Sequence, residues 1–84
     1  MSLSARINSM KFEFAIAAGH DAEVLLLPRT QGIVKLFAED LVDEVGDEAG
    51  SPAYVYHCLW TAERDMEFCG LRVELHDGDD LAMQ

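Results

Sequence analysis

The 84-residue chain predicts a small α+β domain: a four-stranded antiparallel or mixed sheet, in the chain order β-β-α-β-β, with one helix packed on one face. Three patterns carry this expectation. Apolar residues alternate with others in several short runs, the period of a half-buried strand. A single stretch, residues 31–45, repeats its apolar residues at helical spacing. Half of the residues are hydrophobic, which places the chain among folded sequences although its formal charge is −10.

Phe12, Phe14 and Ile16 alternate with Lys11, Glu13 and Ala15 and predict the first strand. Gly19, His20 and Asp21 supply a turn. Ala22 to Leu27 predicts a second strand, its consecutive leucines pointing to burial on both faces. A helix starting at Asp21 is the rival, and Pro28 would break it after two turns. Thr30 is placed to cap a helix with its hydroxyl. That helix gathers Val34, Phe37, Ala38, Leu41 and Val45 in one arc, flanked by Ile33 and Val42, and Gly46 ends it in a left-handed conformation. Residues 47–52 form a linker. Ala53–Trp60 and Met66–His76 then predict a hairpin closed at Ala62–Asp65. In that register Cys58 lies opposite Cys69, and Tyr54, Tyr56, Trp60, Leu71, Val73 and Leu75 share the core face with them. Val55, Leu59, Met66 and Phe68 point outward, and Gly70 marks a bulge. The domain organisation that follows is a flexible N-terminal tail over residues 1–10, one domain over 11–76 and an acidic C-terminal tail over 77–84.

A domain of this length buries only roughly 60–65% of the surface its unfolded chain exposes, so its stability margin is narrow. Two cysteines make no disulfide framework; reduced thiols acting as small hydrophobes in a cytoplasmic protein are expected. No apolar run approaches the ~20 residues of a membrane helix, and residues 1–9 lack the apolar stretch of a secretory signal. Sixteen Asp and Glu against six Lys and Arg repel nucleic acid and anionic membranes and attract basic proteins. The six bases (Arg6, Lys11, Arg29, Lys35, Arg64 and Arg72) are scattered, so neither direct nucleic-acid binding nor a membrane partner is expected.

Catalytic signatures are missing. The chain has no glycine-rich phosphate loop, no G-x-S-x-G elbow and no H-E-x-x-H. His57 precedes Cys58, but neighbours on a strand project to opposite faces, which separates thiol from base. The run from His76 to Asp80 offers oxygens to a cation without the spacing or the closing glutamate of a Ca²⁺ loop. The expectation is a protein that is not an enzyme and holds no cofactor or metal.

The acids themselves are the informative feature. Between Leu36 and Glu63 there is no Lys or Arg, and Asp43 and Glu44 occupy the last turn of the predicted helix, with Asp47 and Glu48 just beyond. A helix C-terminus carries partial negative charge, so each acid there costs from a few tenths to about 1 kcal/mol. Glu39 and Asp43, like Asp40 and Glu44, also repel at i,i+4. A local rule broken without local gain points to function. The expected function is therefore a protein-binding module (inhibitor, adaptor or regulator) presenting Glu39, Asp40, Asp43, Glu44, Asp47 and Glu48 to a basic partner surface. Asp77, Asp79 and Asp80 form a second patch, and imitation of nucleic-acid phosphates is one form such a module takes. The alternative is a homo-oligomer assembling through Val55, Leu59, Met66 and Phe68 or the hairpin edge. A third reading, a small metal-binding protein or enzyme, requires bound metal or a deep pocket containing a histidine.

Overall fold

The computed structural model describes residues 3–84. The class is α+β and the sheet is four-stranded and mixed, one of the two expected kinds. The described residues form three helices in place of one, however, and the strands come partly from other segments than β-β-α-β-β predicts. In chain order the elements are α1 (Leu3–Ala18), β1 (Val24–Pro28), α2 (Gln31–Val45), a 3-10 turn (Asp47–Ala49), α3 (Pro52–Thr61), β2 (Met66–Phe68), β3 (Leu71–His76) and β4 (Ala82–Met83).

The strand expected over Phe12–Ile16 is the second half of α1. Leu3, Ile7, Met10 and Phe14 recur at four, three and four residues, and this stripe meets the core, with Leu3 and Ile7 buried and Met10 and Phe14 packed against it. Helical spacing thus outweighs the alternation of Phe12, Phe14 and Ile16, and residues 3–10 belong to the fold and not to a tail. Residues 1 and 2 of that expected tail lie outside the described residues.

The second correction is α3. Ser51 takes the N-cap position and its Oγ accepts the Tyr54 backbone N–H at 3.2 Å, while Pro52 fills the first turn, where its missing N–H costs nothing. Val55, Cys58 and Leu59, at helical spacing, are buried. The alternating aromatics that suggested a strand lie elsewhere: Tyr56 and Trp60 pack at the edge of the core and Tyr54 is exposed.

Between them α2 takes the predicted span and buries Val34, Phe37, Ala38 and Leu41. Thr30 holds the N-cap position with extended backbone, but its hydroxyl makes no capping bond. Gly46 closes the helix at φ 89°, a positive angle that favours glycine although it lies outside the left-handed helical well, and its N–H donates to the Val42 carbonyl at 2.8 Å.

The sheet order is β2-β3-β1-β4. β1 pairs parallel with β3 through Leu25↔Val73 and Leu27↔Leu75, so α2 and α3 lie in the crossover that a parallel pair demands. The expected strand over Met66–His76 is itself a hairpin, β2 and β3, turning at Cys69 and Gly70 with φ of 55° and 77°. Two consecutive positive φ angles form the tight two-residue turn that suits the twist of paired strands, so Gly70 is a turn residue and not a bulge. Lys11 Nζ donates to the Cys69 carbonyl at 2.7 Å and ties α1 to this turn. The expected C-terminal tail ends in β4, antiparallel to β1, with Gln84 N–H bonded to the Val24 carbonyl at 3.0 Å. One apolar cluster, drawn from α1, α2, α3 and the first three strands, forms the core.

Candidate functional site

With residues 53–60 helical, the predicted hairpin register disappears, and so does the face it would have exposed. Val55, Leu59 and Phe68 are buried core residues, and Met66 is packed against them. Phe68 meets Phe37 of α2 edge-on, ring centroids 5.9 Å apart. These four residues therefore form no outward apolar face for assembly. The cross-strand pairing of Cys58 and Cys69 falls with the same register: both thiols are free, Cys58 buried and Cys69 half-buried, where burial pushes the thiol pKa up against the lowering effect of Lys11.

The acids of α2, expected as one patch, are dealt into different surroundings. Glu44 turns to the start of α1: its carboxylate accepts the Ser4 backbone N–H at 2.9 Å and the Ser4 hydroxyl at 3.2 Å. An acid that opposes the dipole of its own helix thus sits on the favourable end of another. Glu39 lines a cleft with Lys35 and with Ser51, Pro52 and Ala53, the opening of α3. Glu48 borders a shallow hollow with Arg64, Asp65 and Glu67, while Asp43 and Asp47 stand exposed.

Asp40 differs. It lies on the lip of a groove of about 520 Å³ that runs between α1 and α2 and reaches the turn before β4. Leu3, Met10, Leu27, Pro28, Ile33, Leu36, Phe37 and Leu81 make its walls apolar. Leu36 is 61% exposed there. Asp79 and Asp80 stand on the lip with Asp40, so the structure unites one member of the first acidic patch with two of the second. Among the described residues Arg6 is the only basic one lining it. The turn that carries the two aspartates is held in place, because His76 Nε2 lies 2.8 Å from the Asp80 carbonyl and Arg29 pairs with Asp77 at 3.8 Å.

Sequence reasoning weighed the charges of this site and missed its floor. The missing signal was the helical stripe of α1, which supplies Leu3, Arg6 and Met10; without that helix the groove has one wall.

Elsewhere, Arg29, Arg64 and Arg72 line a smaller cavity of about 260 Å³ beside Trp60, whose buried indole N–H has no hydrogen-bond partner. Each arginine is already engaged: Arg29 with Asp77, Arg72 with Glu74 at 3.5 Å, and Arg64 with the Tyr54 hydroxyl at 3.3 Å, a contact that raises the guanidinium pKa further. The three histidines are dispersed, His57 beside Glu63 at 3.3 Å and His20 beside the Asp21 carbonyl at 3.0 Å. Among the described residues no three His, Cys, Asp or Glu side chains converge on a point where a metal ion would bind, and no helix is long and apolar enough to cross a membrane. No family model matches the chain, and neither the curated proteins nor the solved structures searched contain a match to it.

Proposed function

We propose that the protein is a non-catalytic binding module whose acid-lipped groove takes a basic, amphipathic segment of a partner protein. The observation that carries this reading is the meeting of Asp40, Asp79 and Asp80 around an apolar floor that includes the exposed Leu36. An apolar surface open to water favours burial, at about 25 cal/mol per Å². The acids on its lip select which apolar segment enters: one carrying Lys or Arg beside its apolar stripe, as an amphipathic helix laid in a groove does. The chain's charge of −10 adds steering toward cations and against anionic competitors. Binding is therefore expected to weaken with salt. The dispersal of Glu39, Glu44 and Glu48 favours this local groove over a continuous row of phosphate-like charges. Regulation or inhibition of the partner would follow from covering the bound segment.

The test is direct titration of the full chain with a fluorescent Lys/Leu amphipathic helical peptide, and with its Glu/Leu counterpart, at low and high salt. Preference for the basic peptide, reduced by salt, is expected. Reversing Asp40, Asp79 and Asp80 together to Lys should weaken it by about tenfold or more, the cost of turning close charge attraction into repulsion. Reversing the exposed pair Asp43 and Asp47 should leave it within about twofold. Equal binding by wild type and the Asp40/Asp79/Asp80 variant would remove the groove from consideration.

A further inference from the structure

The outward side of α1 is the second apolar surface that the fold leaves uncovered. Phe12 is 68% and Ile16 69% exposed. With Ala5 and Ser9, also exposed, they lie on one line down the helix, spaced four, three and four residues. That is the spacing of a seam along which two helices pack. The next positions on one side of it are Asn8 and Ala15; on the other they are Arg6 and Glu13. The seam and its Asn8/Ala15 side carry no charge, in a chain with 16 acids and 6 bases.

We infer that α1 is a self-association surface that packs against α1 of a second copy in the antiparallel sense. Both the sizes and the charges fit that one arrangement. About a two-fold axis midway between Ser9 and Phe12, Ala5 of one copy faces Ile16 of the other, and Ser9 faces Phe12, so each large side chain meets a small one. A two-fold axis perpendicular to the helices brings each flank against the same flank of its mate, as an isologous contact requires. The flank holding Arg6 and Glu13 then meets itself reversed. Arg6 faces Glu13 of the other copy, and the converse, with an axial offset of roughly 3 Å at 1.5 Å per residue, which long side chains span. A parallel pair would set these charges against Asn8 and Ala15 and stack Phe12 on Phe12. Neither Arg6 nor Glu13 is in a salt bridge within the chain among the described residues. A seam of four residues on each helix is small beside the ~1,600 Å² of a standard stable interface, so the dimer is a weak, concentration-dependent one.

Sedimentation of the full chain, from low to high micromolar concentration, tests this. The wild type should pass from monomer to dimer and no further, since a closed isologous contact is used up by pairing. Phe12→Ser combined with Ile16→Ser should weaken the dimer by about tenfold or more while leaving the helical circular dichroism unchanged, because both side chains are exposed. Arg6→Glu alone and Glu13→Arg alone should each weaken it several-fold, and the two together should restore it. A wild type that stays monomeric throughout, a dimer indifferent to the Phe12/Ile16 change, or a charge-swapped double variant no better than its singles would each overturn the inference.

Discussion

The groove between α1 and α2 and the cavity beside Trp60 are opposites in charge. Three acids and one base line the groove, whereas three arginines and only Asp65 and Glu74 line the cavity. They also differ in how far their charges are spent. Every arginine of the cavity has a carboxylate or hydroxyl partner within 3.8 Å, while Asp40 and Asp79 on the groove lip have no such side-chain partner among the described residues. The lesson is that the acidic excess is not spread evenly: the bases that would neutralise it are concentrated elsewhere, leaving one apolar surface edged by unanswered negative charge. It is that combination, more than the net charge, on which the proposal of a basic partner rests.

The contrast is most severely stressed at the groove's foundation. Phe37 belongs to the groove wall and rests on Phe68, which is 6% exposed. Phe68→Ala should lower unfolding stability by about 3–5 kcal/mol in urea titration, as a large buried aromatic leaves a cavity. Leu36→Ala, on the exposed wall, should change stability by no more than about 0.5 kcal/mol while weakening capture of the basic peptide several-fold. Equal stability losses for the two would mean that Leu36 is packing and not a free binding surface.

Glu44 and Asp43 sharpen the distinction between an acid that the fold uses and one that it does not. Glu44→Ala removes the acceptor of two Ser4 hydrogen bonds and should cost about 1 kcal/mol of stability, diminishing at high salt, in thermal or denaturant unfolding. Asp43→Ala removes an acid from the C-terminal turn of α2 with nothing bonded to it among the described residues, and should be neutral or stabilising by a few tenths of a kcal/mol. The smallest effect belongs to the arginine side. Arg72→Ala breaks an exposed pair at 3.5 Å, away from the groove, and should shift stability by less than about 1 kcal/mol and leave peptide binding unimpaired. Binding lost with Arg72 would dissolve the comparison.

Much of the central fold was legible. β1, α2 and the strand-forming nature of 66–76 follow from local pattern, because in those stretches apolar period and turn chemistry agree: Pro28 and Gly46 stand where an element stops. In β3 the alternation is real, Leu71 and Val73 buried against exposed Arg72 and Glu74. Where alternation misled, at Phe12–Ile16 and Tyr54–Trp60, a helical stripe ran through the same residues. The Ser51–Pro52 start of α3 was a usable local signal, since a capping hydroxyl followed by proline begins a helix far more readily than a strand. In α1 the stripe Leu3–Ile7–Met10–Phe14 was present, but three of its four residues fell in the expected tail over residues 1–10.

Taken by itself, the sequence determined the α+β class, the span of α2 and the presence of an acidic surplus with too few bases to match it. These are properties of composition and of neighbours within a turn or two. The tertiary structure alone decided what each acid does. Glu44 opposes the dipole of its own helix and is favourable only because α1 begins against it, and Asp40 joins Asp79 and Asp80 only because β4 pairs with β1 and carries their turn to the groove. Electrostatic interaction depends on distance through space, and residues 40 positions apart in the chain acquire a short distance only when the fold is complete.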